Sequence, residues 1–406
     1  SILKEYGENF KMEKKSKSVF LTDAQQRKSL AVIRSLGLKG IDVITGEDTR
    51  WATSRFSKYC SKGLVYPKPI NDRQKYLSWL KELLQKNNFK VLFPMDDVVM
   101  DIVVNNQGEL KDYCSLLLPE LNDYIIASDK NSAVGKAKSV GIDIPISIKV
   151  NGGDSLEKLD LLTNDLIYPV IIKPRKSSGS RGIAIVEGPR GMVTEYLRIH
   201  KEYPFPLIQE YIPQGPRYDV CLLYDNNGKL RASFVQKELR HFPLERGPST
   251  LQESVWRPDL VEKADRLMKG LNWKGIAEVE FMEDPRDGTY KFMEINTRFW
   301  ASLNLSIVCG VDFPWLYYCL AINKEINDVF EYKIGIRCRW SLPGDILHFV
   351  FNKERWSLEP SFFAGKKHNV YDDILSWDDP MPIIGFILAV LHYMPDKKMW
   401  KMIFKR

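Results

Sequence analysis

An α/β half, then an α+β half, then a helical tail is the fold that the sequence predicts. Three observations carry that reading. Residues 18–125 alternate short apolar strands with helices, the pattern of a parallel sheet covered on both faces. Residues 126–330 read largely as strands joined by Gly- and Asn-rich turns. Met381–Met394, MPIIGFILAVLHYM, is the most apolar stretch of all and sits between prolines. At 406 residues the chain is long enough for two or three domains. The boundaries expected are a processed or disordered lead over 1–17, an α/β domain over 18–125, a second domain over 126–330 and an extension over 331–406. The chain opens on Ser1, and no role is expected of residues 1–17.

In the first domain, Val19–Thr22 reads as a strand, and Asp23 is placed to cap a helix from Ala24 to Leu36 that stops at Gly37. Ile41–Thr45 and Phe89–Phe93 read as further strands, with a helix over Tyr76–Gln85 between them. The last strand leads through Asp96-Asp97 into another helix, and these aspartates either cap it, the reading preferred, or border a substrate cleft. No GxGxxG follows the first strand, so no dinucleotide site is indicated. Ser128–Gly141 has the signature of a capped helix closed by glycine. Asp219–Tyr224 and Leu230–Lys237 form a hairpin about Asn226-Asn227-Gly228. Asp259–Gly270 is an amphipathic helix, and Val311–Ala321 is another helix.

The stretch Gly275–Trp300, GIAEVEFMEDPRDGTYKFMEINTRFW, is where the chemistry concentrates. It reads as two strands reversed at Glu283–Gly288 by Pro and Asp-Gly. Side chains two apart share a face, so Glu278 and Glu280 align on one strand and Glu294 and Asn296 on the other. Folding about the turn sets Glu280 opposite Glu294, Cβ atoms about 5 Å apart. Two carboxylates and an amide oxygen then converge, and oxygen-only ligands suit Mg²⁺ or Mn²⁺. A half-exposed hairpin with an acidic solvent face is the plainer alternative for such a short motif.

A second segment, Tyr168–Glu187, reads as an apolar strand ending in Lys173. A Ser/Gly loop with Arg175, Lys176 and Arg181 follows, and then the strand Ile183–Val186. Small residues let backbone N–H groups approach phosphate oxygens, and the cations supply charge. A flexible basic loop fits the same residues. It is not the Walker A pattern, because no GKS or GKT opens a helix.

Composition excludes several classes. The net charge of +7 favours anionic ligands, but no long Lys/Arg block marks a nucleic-acid binder. Six cysteines without CxxC spacing or a Cys/His cluster argue against zinc or a disulfide framework, and free thiols fit a reducing cytoplasm. No apolar run reaches the roughly 20 residues of a spanning helix.

The order Asp129-Lys130, PVIIKP with its Gly/Ser loop, LIQEYIP, EVEF and EINTRFWASL resembles the ATP-grasp superfamily, in its carbamoyl-phosphate-synthase and biotin-carboxylase-like branch. Residues 18–125 resemble the Rossmann-like domain that precedes it. TDAQQRKSLAVIRSLG, SRFSKYC and HFPLERGPSTLQESV are similar to a subgroup of carboxylate–amine ligases. The resemblance implies a two-subdomain grasp fold binding ATP and Mg²⁺. It implies that Lys130 and Lys173 contact phosphates and that Ser177–Gly182, with Ser178 and Gly179, form a lid. It puts Gln209, Glu210, Tyr211 and Ile212 at the hinge and adenine, and the metal on Glu280, Glu294 and Asn296. Arg298 would face the γ-phosphate. Relatives often carry a Glu for the ribose where this chain has Arg217, so either Asp219 substitutes or the ribose is held differently. Lys237, Arg240, His241 and Arg246 around GPST either seat a carboxylate or phosphate or form an ordinary basic strand and loop.

The implied reaction joins a small-molecule carboxylate to an amine through an acyl phosphate. A small-molecule kinase on the same fold, or a nucleotide-binding interaction module without turnover, are the alternatives. No substrate identity or oligomeric state is readable. For the tail, one reading is a helix packed on the protein. The other is an interfacial helix with a polybasic anchor on a membrane surface. Residues 383–391 show no polar face, so the expectation is a mostly buried helix.

Overall fold

The computed structural model describes residues 2–6, 18–150, 152, 156, 158–163, 166–176, 182–244 and 247–395. The first domain is a parallel sheet of β1 (Ser18–Leu21), β2 (Asp42–Glu47), β3 (Cys60–Val65) and β4 (Val91–Phe93), in the order β3-β2-β1-β4. The three expected strands are there. The edge strand β3 was not expected: CSKGLV is half polar and mostly solvated, and its apolar signal is weak. Helices Arg27–Leu38 and Arg73–Lys86 bury Leu30, Val32, Ile33 and Leu36, and Trp79, Leu80 and Leu83, against the sheet.

The second domain holds two sheets. The smaller contains β5 (Ser147–Ile148), β6 (Val170–Lys173), β7 (Ala184–Val186) and β8 (Leu207–Glu210), in the order β5-β8-β6-β7. It packs through Val170, Ile172 and Ile208 on Tyr196 and Ile199 of the helix Met192–Glu202. The larger contains β9 (Arg217–Tyr224), β10 (Leu230–His241), β11 (Ser249–Ser254), β12 (Gly275–Glu283), β13 (Tyr290–Asn296), β14 (Arg337–Arg339) and β15 (Val370–Asp372). Their order is β13-β12-β9-β10-β11-β14-β15. The Asn226–Gly228 turn links β9 to β10, with Gly228 at φ 75°.

The extension is thus not a separate appendage. Its strands β14 and β15 complete the large sheet, and it is pinned by buried ion pairs, Arg27 with Asp373 and Arg34 with Asp379. One apolar core runs from Phe20 and Trp79 of the first domain to Val220, Phe281 and Phe292 of the large sheet. That continuity fixes the first domain against the wall of the cleft between the two sheets.

The tail differs from expectation. The helix Pro382–Tyr393 buries Pro382, Gly385 and Ala389, while Ile384, Ile387 and Leu391 stay exposed. The missing polar face does not report burial here, because small residues let one edge of the helix dock closely and leave the bulky ones outside.

Candidate active site

The acidic hairpin forms as its alternation predicts. Glu280 pairs in register with Glu294, and Glu278 with Asn296. On the other side of β12, β9 sets Asp219 beside Glu280, and β10 sets Gln236 beside Asp219. Glu294, Glu280 and Asp219 therefore form a row across three neighbouring strands. Lateral neighbours on one face of such a sheet lie about 5 Å apart.

Burial and crowding disfavour charge on Glu280 and Asp219. Glu280 is pushed well above the usual carboxylate range by burial, then by Glu294, Glu278 and Glu238. Asp219 is raised for the same reasons, with Glu238 its strongest like-charged neighbour. Burial raises Glu278 to about 7 despite the opposing pull of Arg298. The Asn296 amide nitrogen donates to Glu278 at 2.9 Å and to Glu280 at 2.6 Å, and Gln236 donates to Asp219 at 2.8 Å. Asn296 thus bridges the carboxylates with its nitrogen, and an incoming cation requires the amide turned about. Among the described residues no group of three or more His, Cys, Asp or Glu side chains forms a ready cation cage. The row is nonetheless a set of hard oxygen donors, a chemistry that fits Mg²⁺ or Mn²⁺.

Cations face the row. Lys173 ends β6 and is 8% exposed. Burial lowers its ammonium to about 8, offset in part by Glu294. Lys130 opens the helix Lys130–Ser139, which Asp129 caps by accepting from Ser132 N–H at 3.0 Å. The Lys130 N–H donates to the Arg175 carbonyl at 3.0 Å, and Arg175 donates to Asp129 at 2.9 Å. These bonds tie the end of β6 to the start of that helix, so both lysines enter one cleft, where Lys130 pairs with Glu294. The cleft holds about 1040 Å³ of empty space, its open mouth included, and Ile171, Ile183, Met282 and Met293 supply apolar walls.

The hinge residues do not all face the cleft. Glu210, Tyr211 and Ile212 line the cleft. Gln209 points the other way: it is buried and donates to Ser147 Oγ at 2.9 Å, so its side chain is structural. The Glu210 carboxylate accepts from Ile146 N–H at 3.0 Å and pairs with Arg286 at 3.2 Å, which leaves its backbone to face a ligand. Asp219 belongs with the carboxylate row, away from the ribose role expected for it. Arg298 donates to Asp97 at 2.8 Å and lies on the first-domain side of the row. Asp96 makes no cap bond but accepts from Gln26 at 2.9 Å, and Asp97 accepts from Arg298 of the second domain, so the pair lies at the junction of the domains and is not a simple cap. Arg240 is 3% exposed and locked to Asp345 at 3.0 Å, a structural pair and no substrate clamp. His241 is taken up by Glu238 at 2.7 Å. Ser178, Gly179 and Arg246 lie outside the described residues.

Sequence reasoning missed Glu278, Glu238 and Lys28 as members of the site. Glu278 was legible, since it shares a face with Glu280. Lys28 was hidden in an ordinary helix pattern. It is buried, donates to the Phe299 carbonyl at 3.0 Å, and is lowered to about 7 by burial and then by Arg298.

Two sheets closing on a cleft, with lysines on one jaw and a carboxylate row on the other, define a fold of the ATP-grasp class, and solved structures agree. The biotin carboxylase of Campylobacter jejuni, solved as a beta-gamma-ATP complex, superposes with a TM-score of 0.64 at 18% identity, covering 79% of this chain and 74% of that one. An L-amino acid ligase from Bacillus licheniformis superposes with a TM-score of 0.58 at 14% identity, covering 76% and 75%. In sequence, residues 129–327 match the family described as carbamoyl-phosphate synthase L chain, ATP binding domain. That match covers just under half of the chain and marks residues 129–327 as an ATP-grasp domain of the carbamoyl-phosphate-synthase and biotin-carboxylase-like branch. Biotin carboxylase 1 of Bacillus subtilis (strain 168) is 28% identical over 156 residues, 36% of this chain and 34% of that relative, so the chain spans about a third of its length.

Proposed function

We propose that this protein is an ATP-dependent carboxylate–amine ligase. The observation that carries the reading is the opposition of Lys130 and Lys173 to Asp219, Glu280 and Glu294 across one cleft. Phosphoryl transfer needs alignment and charge neutralisation more than a protein nucleophile, and this cleft supplies charge of both signs. Lys173 and Lys130 hold the nucleotide phosphates. Glu280 and Glu294, with Asn296 turned, would hold Mg²⁺ or Mn²⁺, which would neutralise charge on the carboxylates and the phosphates together. The hinge Glu210–Ile212 and the apolar walls take the base.

An oxygen of the substrate carboxylate attacks the γ-phosphorus of ATP. The new O–P bond forms as the bond to ADP breaks, giving an acyl phosphate. The amine nitrogen then bonds to the acyl carbon, phosphate leaves, and the nitrogen gives up a proton. Arg298, on the first-domain side, is placed for the transferred phosphate once Asp97 releases it, and the interdomain crevice is where the carboxylate and amine enter. The free, mostly buried thiols fit a reducing cytoplasm.

The test is phosphate release from ATP against pooled amino acids and dicarboxylates, with and without an amine pool. The ligase reading expects release that needs both pools together. ADP formation with a stable phosphorylated product and no free phosphate makes the protein a kinase. No turnover with any pool, despite nucleotide binding, makes it a binding module.

A further inference from the structure

The helix Pro382–Tyr393 is held rigidly with its apolar side outward. At its start, Asp379 is 1% exposed and accepts from Arg34 at 2.9 Å, Ser57 Oγ at 2.7 Å and Lys58 N–H at 2.9 Å. At its end, Tyr393 donates to Asp48 at 3.0 Å. Between these anchors Gly385 sits so close to the one-turn helix Thr53–Phe56 that a Cβ would lie 2.6 Å from the Phe56 ring and 2.8 Å from the Thr53 carbonyl. Only a small residue permits that approach, so the docked edge is fixed.

The opposite edge is set by helical spacing. Met381, Ile384, Ile387 and Leu391 are spaced three, three and four apart and are 47%, 44%, 51% and 55% exposed. The helix, PIIGFILAVLHY, contains no Asp, Glu, Lys or Arg. Trp377, just before it, is 94% exposed. Straight after it the sequence runs DKKMWKMIFKR, five cations interleaved with Trp400, Ile403 and Phe404. At 12 residues the helix is about 18 Å long by its rise, well short of the roughly 30 Å needed to span a bilayer core.

We propose that this face docks on an anionic lipid surface. The helix lies in the plane of the headgroups, with Ile384, Ile387, Leu391 and Trp377 dipping into the acyl boundary. The basic run meets the anionic headgroups, and aromatic residues among cations suit that layer. Charge decides against a second copy of the chain as the occupant. A second copy brings the same five cations against themselves, whereas an anionic surface supplies opposing charge to all of them.

The experiment is co-sedimentation of the full chain with phosphatidylserine-containing vesicles and with neutral phosphatidylcholine vesicles. Two variants accompany it: Ile387→Asp with Leu391→Asp, both at exposed positions, and Lys397→Gln with Lys398→Gln and Lys401→Gln, which leaves the helix untouched. Melting curves confirm that each is folded. The proposal expects binding to anionic vesicles alone, weakened by salt. Loss of three cations lowers it about 100-fold, at roughly fivefold per charge. The double Asp variant abolishes it. No anionic binding by the full chain, or binding indifferent to the double Asp variant, overturns the proposal. So does a dimer in light scattering that the double Asp variant dissolves while vesicles capture nothing, since the face then belongs to a second copy.

Discussion

Burial holds the Lys173 ammonium at about 8, so near neutral pH it is charged but easily discharged. A bound polyphosphate favours the charged form and lifts that value again. Nucleotide binding at pH 8.5 is therefore expected to take up a proton, and affinity is expected to fall as pH rises beyond about 8. Calorimetry in two buffers of different ionisation enthalpy measures the uptake. It disappears in Lys173→Met, which keeps its melting temperature but loses about 100-fold or more in turnover. The carboxylate row makes the opposite kind of prediction. Glu278 sits at about 7 in the folded chain, above the ordinary 4.5, and Glu280 is raised further. Between the unfolded and folded values the folded chain binds more protons, so metal-free stability falls as pH rises through about 7. Glu280→Gln is expected to raise the metal-free melting temperature at pH 8 and to remove the Mg²⁺ dependence of nucleotide binding. A variant that melts lower and still needs Mg²⁺ contradicts that account of the row.

At the scale of elements, what could be read in advance was local. The β12–β13 hairpin follows from turn residues and a period of two, and both act within about twenty residues, so the Glu280–Glu294 pairing was legible. Asp219 and Glu238 join the site only through sheet order, which no local pattern encodes, and the ribose assignment of Asp219 fell for that reason. Gln209 is taken up by Ser147 of the neighbouring strand β5, a partner that only the sheet order supplies. The extension was illegible because its strands are three residues long and borrow their order from β11. Its attachment is a matter of buried charge. Asp379→Ala leaves Arg34 and Ser57 without their carboxylate, and breaking such a buried pair costs about 3–5 kcal/mol. Denaturant melts are expected to show that loss. A loss under about 1 kcal/mol indicates that the extension detaches on its own before the core unfolds.

Across the whole molecule, the shared core between the first domain and the large sheet means that the interdomain crevice and the nucleotide cleft are walls of one body. Arg298, Asp97 and Lys28 lie where those walls meet. The fold class was predictable from the order of five motifs, whereas the crevice was not, because it is made by packing between segments some two hundred residues apart.

The central claim is that a carboxylate is activated by phosphorylation in this cleft, and the fate of its oxygen tests that most directly. With the carboxylate found by the pooled screen, labelled with ¹⁸O and incubated with Mg·ATP and the amine, one labelled oxygen is expected in each phosphate released. Phosphate free of label while the amide accumulates contradicts the account.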